Sequence, residues 1–203
     1  MFIRPDGSIG GEHPLVAGVN NVGREHDEVF AADGYLSPHH ADIIVEAGQF
    51  ELRDMGSLNG VFFKLTAEAV LSSGDVFRIG QELLRFDGVS GPEPLEDGTE
   101  IMGSPNVGYW GRLTRVVGYG VDGEAYLLKG DRIVIGRERG DILFPEDGYV
   151  SGTHLELEYR DGSVVLRDLG SSNGTFLRAR SPRTVPAGTF VLMGQQLFRL
   201  ELI

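Results

Sequence analysis

At 203 residues, 41% of them hydrophobic, the chain is long enough for one large domain or two small ones and can bury a real core. A formal charge of −12 argues against a nucleic-acid partner, because displacing counterions from phosphates takes a positive footprint. The absence of cysteine excludes a disulfide framework and thiolate metal sites, and no apolar run approaches the length of a membrane span.

In chain order, the N-terminus MFIRPDGSIGG lacks the apolar core of a signal peptide, so a cytoplasmic location is expected. Its FIRP at 2–5 is a short apolar segment, and a series of short runs separated by Gly follows to residue 87. DGVSGPEPLEDGTEIMGSPNVG, 87–108, is rich in Gly, Pro and acid and has no apolar period, which is a linker composition. Beyond it come GRLTRVV (111–117), EAYLLKG (124–130), DRIVIGR (131–137), HLELEYR (154–160), SVVLRDL (163–169) and QLFRLELI (196–203). All have strand length and carry β-branched or aromatic residues. Asp161-Gly162 between two of them is a tight hairpin signal. GYGVDG at 118–123 fits G-x-G-x-x-G, but strand-like sequence follows it instead of the helix that a dinucleotide loop must open. It reads as a Gly-rich hairpin. No stretch holds a helical period over ten residues, and the pattern predicts an all-β sandwich architecture.

The chain repeats itself. Gly23-Arg24 aligns with Gly136-Arg137 at an offset of 113, and from Ser37 over Ser151 onward an offset of 114 holds without a gap. That register pairs Gly34-Tyr35 with Gly148-Tyr149, His40 with His154, DMGSLNGV at 54–61 with DLGSSNGT at 168–175, and Gly80-Gln81 with Gly194-Gln195. Copies of this length read as domains. The expected organisation is a first domain at 1–87, a linker at 88–108 and a second domain at 109–203.

The ordered set G-R at 136–137, S-x-x-H at 151–154, D-L-G-S-S-N-G-T at 168–175 and A-G-T-F-V-L-M-G at 187–194 resembles the forkhead-associated (FHA) domain, a phosphothreonine-binding module. The family ending resembles L-x-x-G-D-x-I-x-I-G. Leu71, Gly74-Asp75 and Ile79-Gly80 keep it, while Thr189 replaces the Asp in the second copy. The resemblance implies two tandem eleven-stranded sandwiches with binding loops at one end. It assigns Arg137, Ser151 and Ser172 to the phosphate and Asn173 to the ligand backbone. Gly136, Gly152, His154, Asp168, Ser171, Gly174 and Thr175 would shape the loops, and Tyr149 would tune the choice of the residue three after the phosphothreonine. The chemistry suits these roles. Arg is a rigid, always charged fork, hydroxyls are compact donors, and Asn donates and accepts together.

Arg24, Ser37 and Asn59 form the matching set in the first copy, but Leu58 stands where the second has Ser172 and Val61 where it has Thr175. A Leu cannot donate to phosphate, and Pro38 has no N–H to offer. The first site is therefore expected to be the weaker. FIRP also covers only the end of GRLTRVV in the repeat register, so the first copy's opening strand is expected to be shortened, or completed by a partner or by the linker. The expected function is a non-enzymatic adaptor, without cofactor, for phosphothreonine-bearing substrates of a Ser/Thr kinase. A phospho-independent assembly scaffold is the alternative. Ser151, His154 and Asp168 offer the residue types of a hydrolytic triad. Residues three apart on extended chain point to opposite faces, however, and no G-x-S-x-G elbow accompanies them. The five histidines lack metal-ligand spacing. Thr99 lies in the acidic linker, where a kinase could modify it and the product could dock within the chain.

Overall fold

The computed structural model describes residues 1–4, 7–91 and 93–202. Pro5, Pro92 and Ile203, which fall in the predicted FIRP segment, linker and last strand, lie outside them. Almost all regular structure is β, as the short apolar runs demand. The first repeat supplies β1 (Phe2–Ile3), β2 (Ile9–Gly11), β3 (Gly18–Val22), α1 (Glu28–Ala31), β4 (Ala41–Glu46), β5 (Gln49–Asp54), β6 (Val61–Lys64), β7 (Ala69–Leu71), β8 (Asp75–Ile79) and β9 (Glu82–Gly88). The second supplies β10 (Tyr109–Gly118), β11 (Val121–Lys129), β12 (Arg132–Gly136), β13 (Ile142–Leu143), β14 (Leu155–Arg160), β15 (Ser163–Asp168), β16 (Thr175–Arg178), β17 (Arg183–Val185), β18 (Phe190–Met193) and β19 (Gln196–Arg199). Among the described residues, 89–108 hold no strand, and no helix is long and apolar enough to cross a membrane.

Local chemistry explains the turns. Asp161 and Gly162 both take positive φ (52° and 78°), the geometry of a two-residue turn whose twist matches the flanking strands β14 and β15. GYGVDG is a hairpin, with Tyr119-Gly120 joining β10 to β11. The four-residue helix α1 has no counterpart in the sequence prediction. Its signal is Asp27, whose carboxylate accepts the Val29 N–H at 2.9 Å and caps the turn.

The strands assemble into two compact units, and each unit draws on both repeats. The first comprises Met1–Lys64 and Phe176–Ile203, and the second Leu65–Thr175. In the first, strand order β2-β1-β19-β18-β6-β16 forms one sheet and β17-β5-β4-β3 the other. Val22, Ile43, Phe50, Leu52 and Phe63 of the first repeat share its core with Val185, Val191, Met193 and Phe198 of the second. In the second unit, β11-β10-β9-β8 and β13-β12-β14-β15-β7 are the sheets, so β9 and β7 of the first repeat pair with β10 and β15 of the second. The repeats have thus exchanged their C-terminal strands. Repeat boundaries and unit boundaries do not coincide.

The exchange settles the short opening strand. Two residues of β1 pair with β19, Phe2 against Phe198 and Ile3 against Leu197, so the last strand of the chain completes the first. Phe2, Phe30 and Phe198 cluster there, with ring centroids 5.0–6.1 Å apart. In the second unit Trp110 stacks on Tyr159 at 5.3 Å and donates its indole N–H to the Gly130 carbonyl at 2.7 Å. The described strands number ten in the first unit and nine in the second, fewer than the eleven implied for each sandwich.

Because β1–β19, β5–β17, β6–β18, β7–β15 and β9–β10 all join one repeat to the other, cutting the linker should not separate the halves. With a protease site inserted between residues 100 and 105, the cleaved protein is expected to run as two fragments on a denaturing gel. In native size-exclusion chromatography it should run as one species at the uncut elution volume. Release of two half-size proteins would contradict the exchange.

Candidate functional site

In the second unit the end of β12 runs beside the loop that follows β13. The Arg137 N–H donates to the Ser151 carbonyl at 2.9 Å, and the N–H groups of Glu138 and Arg139 both reach the Gly152 carbonyl at 3.1 and 2.9 Å. This approach requires glycine at 136, since a Cβ there would collide with the Gly152 carbonyl oxygen. Gly23 is under the same constraint against the Pro38 carbonyl.

Ser151 is held at two atoms. Its N–H donates to His154 Nδ1 at 3.0 Å, and its Oγ accepts the Ser172 N–H at 3.0 Å. Because Nδ1 is an acceptor, the proton of the neutral ring sits on Nε2, which points at the Gly174 carbonyl 3.3 Å away. The fully buried imidazole is therefore a strut between the serine loop and the Asn-Gly loop. Nothing in this arrangement places the ring on the Ser151 hydroxyl, which is what a triad needs.

Asp168 organises the second loop. Its Oδ1 accepts the N–H groups of Gly170 and Ser171 at 2.9 and 2.8 Å, and its Oδ2 accepts the hydroxyls of Ser171 and Thr175, each at 2.7 Å. Ser171 Oγ in turn accepts the Gly174 N–H at 2.9 Å. Burial pushes the Asp168 carboxyl up, but the bonds from Thr175 and Ser171 outweigh it and hold the group below its ordinary value. Gly174, with φ of 86°, takes the left-handed turn that lets Asn173 project. Asn173 Nδ2 donates to the Tyr149 carbonyl at 2.8 Å, and the residue is exposed. Tyr149 itself is half exposed.

These bonds link the loops that carry Arg137, Ser151, Ser172, Asn173 and Tyr149 into one rim, of which Ser172, Asn173 and Tyr149 are exposed and Arg137 and Ser151 half-buried; Gly136, Gly152, His154, Asp168, Ser171, Gly174 and Thr175 lie in or beside the same loops. The first unit repeats the scaffold. The Arg24 N–H donates to the Ser37 carbonyl at 3.2 Å, the Leu58 N–H to Ser37 Oγ at 3.1 Å, and Asn59 Nδ2 to the Tyr35 carbonyl at 2.7 Å. His40 joins Ser37 N–H (3.1 Å) to the Gly60 carbonyl (3.0 Å).

Sequence reasoning missed two groups here. Asp147 Oδ1 accepts the Tyr149 N–H at 2.9 Å, while its Oδ2 accepts the N–H of Gln81 at 2.6 Å, from the other repeat. Asp33 does the same for Tyr35 and Gln195, both at 2.9 Å. The available signal was Asp-Gly-Tyr at both 33–35 and 147–149. The second missed group is Glu138, whose carboxylate holds Arg137.

Comparison with known proteins identifies the family that carries these two loop sets. The FHA domain family matches residues 20–80 and 133–194. The chain belongs to the FHA family. It is similar to the glycogen accumulation regulator GarA of Mycolicibacterium smegmatis, 30% identical over 102 residues, covering 49% of this chain and 63% of GarA. It is also similar to the FHA domain-containing protein FhaB of Mycobacterium tuberculosis, 34% identical over 82 residues, covering 39% of this chain and 53% of FhaB. A third similarity is to the M. tuberculosis ABC transporter ATP-binding/permease protein Rv1747, 32% identical over 137 residues, covering 66% of this chain and 14% of that protein. FHA domains generally bind phosphothreonine.

The two FHA sites differ in a few atoms. Leu58 is 57% exposed at the rim, where Ser172 presents a hydroxyl with no hydrogen bond among the described residues. Val61 replaces the Thr175 hydroxyl with a methyl that joins the core, so Asp54 lacks the bond that Thr175 gives Asp168. Arg24, which is exposed, donates its Nε to the Leu36 carbonyl at 2.6 Å.

Burial holds both imidazoles, His40 and His154, below the ordinary histidine range, against the opposing pull of the loop carbonyls and nearby carboxylates. The unfolded chain therefore takes up protons that the folded chain resists, and stability rises with pH across this window. The melting temperature is expected to fall as pH drops below about 6.5, well above the range where carboxylates protonate. His154→Gln should melt lower than wild type at pH 8 but lose less between pH 7 and 5. An unchanged slope would show that His154 does not titrate in this window.

Proposed function

We propose that this chain is a non-enzymatic adaptor that recruits phosphothreonine-bearing proteins, substrates of a Ser/Thr kinase, mainly through the FHA site of its second unit. The observation that supports this reading is the hydrogen-bonded loop set that joins the Arg137 N–H to the Ser151 carbonyl, Ser151 Oγ to the Ser172 N–H and the Asn173 amide to the Tyr149 carbonyl. A phosphothreonine brings a charge of about −1.5 to −2 and three strong acceptor oxygens, which suits a fixed cation beside compact hydroxyl donors. Asn173 can read the peptide backbone next to it, because its amide oxygen remains available after Nδ2 has bonded Tyr149. The first site keeps the scaffold but presents Leu58 where a donor is needed and has the Arg24 Nε engaged by the Leu36 carbonyl, so it contributes less.

Binding of the full-length protein to a phosphopeptide array, wild type beside Arg137→Ala and Arg24→Ala, tests this. Arg137→Ala should weaken phosphothreonine-dependent binding about tenfold to a hundredfold, the value of one lost charge-assisted hydrogen bond. Arg24→Ala should change it little. Equal losses would remove the asymmetry, and an array with no phospho-dependent signal would favour the phospho-independent scaffold. Leu58→Ser should in turn raise binding at the first site, measured in an Arg137→Ala background.

A further inference from the structure

Arg137 already has a partner. Its Nε and Nη2 both donate to one oxygen of Glu138, at 3.2 and 2.7 Å, while Nη1 makes only a long contact to the Gly148 carbonyl at 3.4 Å. The Nε–Nη2 edge is one of the paired-donor faces with which a guanidinium grips a carboxylate or a phosphate. Glu138 is pinned at its backbone by the N–H bond to Gly152, so its carboxylate is tethered beside that edge at high local concentration. The pair is nonetheless displaceable, because the Glu138 side chain is 56% exposed and, among the described residues, its one ion pair within 4.0 Å is with Arg137. Arg139 lies near enough to receive it. The Cβ position of Gly152 is 3.6 Å from Glu138 Oε2 and 3.8 Å from Arg139 Nη2.

We infer that Glu138 is an internal counter-ion of the second FHA site, one that sets a charge threshold for its ligands. The inference rests on the phosphothreonine reading above. A peptide carboxylate brings one charge, the charge that Glu138 already supplies to that edge, and so gains little by replacing it. A phosphate brings more charge and further oxygens for Ser151 and Ser172, and it displaces Glu138 toward Arg139. The arrangement belongs to this unit only. The first repeat also reads Arg-Glu at 24–25, but Arg24 is bonded to the Leu36 carbonyl, has no ion pair among the described residues, and has His26 in place of Arg139.

The test is an NMR titration of the full-length protein, following backbone amides and the Arg137 Nε–H. One probe is blocked phosphothreonine (N-acetyl, N-methylamide) and the other is the equally blocked glutamate. Wild type, Glu138→Gln, Glu25→Gln and Arg137→Ala are compared. Glu138→Gln should bind phosphothreonine about two- to fivefold more tightly than wild type, the range expected for releasing an exposed ion pair. It should also take up the glutamate probe at concentrations where wild type does not, while Glu25→Gln behaves as wild type. If Glu138→Gln matches wild type or binds more weakly, while Arg137→Ala loses phosphothreonine, the threshold is refuted and the site stands. If none of the four proteins shifts Arg137-loop amides with phosphothreonine, the reading of the site fails and the inference fails with it.

Discussion

One buried carboxylate in each unit has two duties, and the rest of the architecture depends on both. Asp147 fixes the Tyr149 amide, and through the Tyr149 carbonyl the reach of Asn173. With its other oxygen it holds Gln81, a residue of the other repeat. Asp33 does the same between Tyr35 and Gln195. A buried carboxylate left without donors is costly, so the Gly-Gln turn must be present for the loop to hold its shape. That turn arrives only through strand exchange. The recognition loop of each repeat is therefore positioned by the opposite repeat.

Histidine provides the second layer of rigidity. His154 and His40 tie the serine loop to the Asn-Gly loop through one ring, with each nitrogen bonded to backbone. Loops carried on a sandwich are the natural place for recognition but are its least constrained parts. Here the backbone of both loops is held by hydrogen bonds to a buried ring.

Much of this was legible in the sequence because it is local. Period-two runs gave the strands, Asp161-Gly162 gave its turn, and the order of Gly136-Arg137, Ser151, His154 and Asn173 gave the family resemblance. The exchange was not legible, for a physical reason. The two repeats carry the same strand pattern, so β7 has an equally suitable partner in either copy, and hydrophobic periodicity cannot choose between them. Helix α1 was missed because four residues are too few to show a period. Glu138 was hidden for the opposite reason. Both repeats read Arg-Glu, and only the rotamers of Arg24 and Arg137 reveal that one pair is closed and the other is not.

The exchange also sorts the sequence differences. The family ending kept at Leu71, Gly74-Asp75 and Ile79-Gly80 lies in the unit that carries Ser172, and Thr189 lies in the unit that carries Leu58. Read by repeat, each copy has one intact half and one drifted half. Read by unit, one body keeps both its loop and its ending, while the other has relaxed in both. Duplication is usually pictured as giving a spare copy that can be discarded. In this chain the spare cannot be deleted at the genetic seam, since a truncation there would remove strands and core residues from both units at once.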